Sequence, residues 1–91
     1  MNAVFIDVSE LPPPEPMMNI LSALTQLPLK HYLKIKHSRI PYPLFPRLTE
    51  NNWCYQYGEN TNGTVTNGEV TLYIYRNDEH VLFEQIDDAE K

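Results

Sequence analysis

Ninety-one residues, 42% hydrophobic and 21% charged, suffice for one domain with a thin core of two packed layers. The net charge of −5 excludes strong non-specific nucleic-acid binding and adhesion to an anionic membrane surface. Cys54 is the only cysteine, which excludes an intrachain disulfide and a cysteine-built zinc site, and no apolar run approaches the roughly 18 residues of a membrane span.

Ala3–Val8 alternates, with Val4, Ile6 and Val8 on one face and Phe5 and Asp7 on the other, and predicts a half-buried strand. Leu11-Pro12-Pro13-Pro14-Glu15-Pro16 follows. Four prolines in five positions cannot lie inside a helix or a central strand, but Pro14 or Pro16 can open a helix, where a missing N–H costs nothing. Met17, Ile20, Leu21, Leu24 and Leu27 then recur at three- and four-residue steps, which is one helix face, with Glu15 suited to the first turn and Pro28 as the stop.

His31–Ser38 predicts a second strand, Leu33 and Ile35 inward, Lys34 and Lys36 outward. Arg39-Ile40-Pro41-Tyr42-Pro43 repeats the design of the first corner, and a short helix is expected from Leu44 to about Asn52 with Leu44, Phe45 and Leu48 buried. Trp53–Tyr57 and Glu69–Arg76 predict a third and a fourth strand, the latter with Val70, Leu72 and Ile74 inward. Two Asn-Gly pairs between them mark tight turns, so an antiparallel hairpin with a long tip is expected, Thr64–Thr66 extending the pairing. Asn77–Lys91 is acidic, yet it holds Val81, Leu82, Phe83 and Ile86; it either folds back as a short helix or offers a docking segment to a partner.

The order β-α-β-α-β-β predicts an α+β fold: a two-layer βαβαββ sandwich over residues 1–76, a mixed four-stranded sheet with two helices on one face. The first two strands are expected to be parallel and the other sheet face open. The stretch from Ile6 to Pro16 resembles the start of a small bacterial and archaeal family, domain-of-unknown-function family 2249, and Arg39–Leu48 resembles that family's second corner. The likeness runs over about residues 3–76. That family is similar in turn to the TusA (SirA-like) type of sulfur carrier, whose corner reads Leu-x-Cys-Pro-x-Pro. Leu11, Pro14, Glu15 and Pro16 match it, but Pro13 stands in the cysteine position. The resemblance therefore implies the fold without the persulfide chemistry.

Parallel first strands bring both helix starts to one sheet edge, where free N–H groups and partial positive charge favour an anion. The candidate ligand residues are Pro13, Pro14, Glu15, Pro16, His37, Arg39 and Pro41, although the prolines remove donors and Glu15 occupies the same field. His31, His37 and His80 lack metal-ligand spacing; if a metal bound, His37 with Asp7 or Glu10 would be the pairing. Cys54, beside Trp53 with no basic neighbour, is expected to be buried and inert. Phe5, Tyr73 and Tyr75 share outward parity with Lys34 and Lys36, which suits single-stranded RNA or, more simply, cross-strand pairing or cover by the tail or a second subunit.

No Ser–His–Asp arrangement or Gly-rich phosphate loop is present. The expected function is a non-enzymatic, cytoplasmic binding or regulatory module without a cofactor, presenting the double proline corner to a protein partner or small anion. Neither membrane nor nucleic acid is the expected partner. The alternatives are a sulfur- or redox-transfer adaptor or degenerate sulfur carrier, and, third, RNA binding through the open sheet face.

Overall fold

The structure, a computed structural model, describes residues 1–12, 14–59, 70–87 and 91. Four strands, β1 (Asn2–Asp7), β2 (His31–His37), β3 (Trp53–Glu59) and β4 (Val70–Arg76), form one sheet in the order β1-β2-β4-β3. Helix α1 (Glu15–Thr25) links β1 to β2, and α2 (Leu44–Glu50) links β2 to β3. β1 and β2 are parallel, with Val4 opposite Leu33 and Ile6 opposite Ile35. β4 runs antiparallel to both β2 and β3. The fold is α+β, as the alternation of strand and helix patterns predicts. The Asn-Gly turns and Thr64–Thr66 lie outside the described residues.

The core follows from the periodicities. Leu33 and Ile35 from β2 and Leu72 and Ile74 from β4 point to the helix side and are fully buried. Against them pack Ile20 and Leu24 of α1 and Leu44, Phe45 and Leu48 of α2. Pro16 sits at the second position of α1, where the chain needs no N–H, and α1 ends at Thr25 ahead of Pro28. Leu27 lies beyond the helix yet stays buried in the same cluster.

The opposite face departs from the open surface that the strand pattern implies. After β4 the chain makes a 3-10 turn (Asn77–Glu79) and a short helix, α3 (His80–Glu84). Phe83 is fully buried with Tyr32 and Tyr75 on that outer face. Part of the aromatic row is thus covered, while Phe5 remains 59% exposed. The physical reason is a third ring: Tyr32, on the outward parity of β2, joins Tyr73 and Tyr75 to make an apolar bed large enough to hold a phenylalanine.

A charged clamp ties this C-terminal turn to the far end of the sheet. The Arg76 guanidinium donates to the carbonyls of Leu27 and of Pro28 (2.9 Å), lies 5.2 Å from the centre of the Trp53 ring, and stands 3.7 Å from Glu79. Glu79, buried in an otherwise acidic segment, accepts the Lys30 N–H at 2.8 Å. Lys30 itself has φ 60°, a left-handed backbone that this hydrogen bond helps to hold.

Candidate functional site

The parallel pairing of β1 and β2 sets the two proline corners on one rim. Val8 N–H extends the pairing to Lys36 O at 2.9 Å, and Leu11 N–H turns back to Val8 O. At the end of β2, His37 shares the inward parity of Leu33 and Ile35 and lies opposite Val70 of β4. A cleft of about 730 Å³ opens there. One wall is Pro14, Pro16 and Met17 at the start of α1; the other is the corner from His37 through Ile40 and Pro41 to Tyr42; Val70 closes the end. Its volume falls in the range of small-ligand and peptide-anchor pockets.

Among the residues singled out from sequence, Pro14, Pro16, His37, Arg39 and Pro41 all line this cleft. Glu15 is exposed and does not line it, and Pro13 lies outside the described residues. Met17, Ile40, Tyr42 and Val70 are the apolar additions. Tyr42, between two prolines in no periodic pattern, carried a signal as an exposed aromatic. Val70 required knowledge of the β2–β4 register.

At the helix starts, most of the first-turn N–H groups that could face an anion are absent or already spent. In the first turn of α2, Pro43 and Pro46 have no N–H, and those of Leu44 and Phe45 go to Pro41 O (2.9 Å) and Tyr42 O (3.2 Å). In α1, Pro14 and Pro16 have none, and that of Glu15 goes to Pro12 O at 3.0 Å. Amide capture of an anion needs unspent donors. Positive charge in the cleft wall comes from Arg39, whose side chain is exposed.

His37 is buried at 4% exposure, and its Nδ1 accepts the Arg39 N–H at 3.2 Å. An accepting Nδ1 makes this the neutral ring protonated at Nε2. Burial first, and the Arg39 charge second, hold it below the usual histidine range. The unfolded chain therefore takes up this proton at a higher pH than the folded one. Stability should be complete above pH ~6.5, fall as the pH drops from there through the lowered folded value, and level off below it. In His37→Asn the amide oxygen can still accept the Arg39 N–H, but nothing titrates. Urea unfolding between pH 7.5 and 5 should show a shallower decline for that variant, and equal slopes would refute the assignment.

The pairing of His37 with Asp7 fails on parity. Asp7 lies opposite Lys36, on the other sheet face. Its Oδ1 accepts both the N–H (2.9 Å) and the hydroxyl (2.6 Å) of Ser9, and these bonds, with Lys36 nearby, keep its carboxyl below the usual range. His31 and His80 each spend Nδ1 on a local carbonyl, that of Leu29 or of Asn77. Among the described residues no three His, Cys, Asp or Glu side chains converge on a metal position, and no helix is long and apolar enough to cross a membrane. Cys54 is half-buried on β3 opposite Tyr75, its thiol donates to Asn77 Oδ1 at 3.2 Å, and burial followed by the Glu84 charge pushes it up.

The site is thus an apolar cleft between two proline-opened helices laid on one face of a four-stranded α+β sheet. A model of domain-of-unknown-function family 2249, described as an uncharacterized conserved protein, matches residues 5–67. The match spans more than half of the chain, and the chain belongs to that family. No curated protein and no solved structure matches it.

Proposed function

We propose that the protein is a small non-enzymatic binding module whose cleft seats an apolar segment of a partner protein that carries a carboxylate. The observation that supports this reading is the cleft itself, walled by both proline corners, with Arg39 as its cation. Proline rings lose no side-chain entropy on binding, and their fixed backbones keep the walls apart before the ligand arrives. A bare inorganic anion has less to hold it, since the first-turn amides of α2 are spent or absent.

The order βαβαββ supports a TusA-like ancestry for the fold. It lends nothing to sulfur transfer. Cys54 pairs with Tyr75, five residues or about 17 Å along β4 from Val70 at the cleft, with its thiol pushed up.

The test is an amide NMR titration of the full chain with a pool of apolar octapeptides that end in a free carboxylate, alongside sodium sulfate and sodium phosphate. Peptides should shift Ile40, Tyr42 and Val70. Arg39→Glu should weaken them about ten-fold, roughly 1.4 kcal/mol. A response confined to the inorganic anions, or one located away from the cleft, would sink the proposal.

A further inference from the structure

The outer sheet face carries a second apolar cluster distinct from the main core, and its centre is a residue of the acidic C-terminal segment. The Phe83 ring stacks on Tyr75 at 4.1 Å and 8°, and meets Tyr32 edge-on at 5.1 Å. Tyr73 lies 5.8 Å away, and its hydroxyl donates to the Lys91 carbonyl at 3.0 Å. The Lys91 ammonium lies over the Phe83 ring, 4.7 Å from its centre. Beyond this ring the described segment buries little apolar surface. Val81 and Leu82 are exposed, Ile86 is half-buried, and α3 has five residues, far fewer than a helix needs to persist alone in water.

Charge separates this segment from the rest of the chain. Residues 1–76 carry six acidic and six basic side chains, whereas 77–91 carry six acidic and one basic. The whole net charge of −5 therefore resides in residues 77–91, whose Phe83 and Ile86 lie on this face. Lys34 and Lys36 share the face: Lys34 sits opposite Tyr73 and Lys36 opposite Thr71. An aromatic ring on an acidic chain meets stacked tyrosines beside lysines.

We propose that residues 80–87 are a displaceable strap, and that the Tyr32–Tyr73–Tyr75 bed beneath is a docking site for an acidic, aromatic-bearing segment of a partner protein. The strap shows in cis the chemistry the bed accepts in trans. Three rings on the two central strands form a rigid anchor, and the lysines beside them suit an acidic flank. A tethered strap competes at an effective concentration of about a millimolar, so the face stays closed until a better-fitting segment arrives.

Native-state hydrogen exchange of the full chain reads the opening directly. The amides of Gln85 and Ile86, which bond to Val81 O and Phe83 O, should exchange at least about 100-fold faster than those of Leu33, Ile35 and Leu72. Exchange at the core rate would make the strap part of the core and overturn the proposal. The second measurement uses a fluorescent peptide with the sequence of residues 77–91. It should bind full-length Phe83→Ala at least about ten-fold more tightly than wild type, and Lys34→Glu/Lys36→Glu in that background should remove the gain. Equal binding, no binding, or a Phe83→Ala chain that does not fold would each overturn the proposal. Strap-exchanged dimers of wild type in light scattering, or displacement of the strap by oligouridylate, would assign the face to another occupant.

Discussion

Phe45→Ala should lower the free energy of unfolding by about 3–5 kcal/mol, the largest loss expected from any residue beside the cleft. Phe45 is the second residue of α2 and is 9% exposed. Its ring stacks on Tyr55 at 4.1 Å and 6° and on Tyr57 at 5.2 Å and 16°, and Tyr42 meets it edge-on at 6.0 Å. A seven-residue helix has no stability of its own, so α2 stays in place through Leu44, Phe45 and Leu48. Alanine at 45 removes the ring that joins α2 to edge strand β3, and it removes the support behind Tyr42 in the cleft wall. Phe45→Leu keeps most of the volume and should cost about 1 kcal/mol. Urea unfolding of both variants tests the claim. A loss under ~1 kcal/mol for alanine would show that the ring stack does not hold α2. Peptide affinity at the cleft should fall further for alanine than for leucine.

Arg76→Met should cost about 2–4 kcal/mol although it leaves the main core intact. The guanidinium satisfies the Leu27 and Pro28 carbonyls within the α1–β2 connection. Methionine packs against Trp53 but cannot donate, so these acceptors lose their partner, and buried Glu79 loses the cation 3.7 Å away. Much of the loss thus comes from what is stranded. Arg76→Met/Glu79→Gln should then be less destabilised than the sum of the single changes, by about 1 kcal/mol. Strict additivity in denaturant midpoints would break the link between the two residues. The Gln85 and Ile86 amides should also open more readily in Arg76→Met, because the clamp precedes α3 directly in the chain.

The residues that settle these outcomes were unequally visible in the sequence. Alternation in Leu33–Ile35 and in Val70–Ile74, and the triplet Leu44, Phe45 and Leu48, report local geometry, and the strands and helices stand where those patterns place them. The proline corners were legible for the same reason: proline constrains its own backbone, whatever the rest of the chain does. Glu79 was not. In an acidic run it reads as a solvated charge, and its burial comes from Lys30, 49 positions earlier in the chain. Tyr32 was equally silent, because its role depends on β4 lying next to β2, a pairing that local pattern does not encode. The cleft shows both kinds of information. Its walls could be named from Pro14, Pro16, His37, Arg39 and Pro41, but the loss of the α2 amides to Pro41 O and Tyr42 O is visible only in three dimensions.

The strand order has a consequence for biosynthesis. The last of the four strands to be made is inserted between β2 and β3, so no earlier length of the chain can complete the sheet. Until Arg76 has been translated, the parallel pair and the lone third strand remain separate, each with bare backbone amides and apolar side chains. The nascent chain is most exposed to holdase chaperones and proteases during that interval.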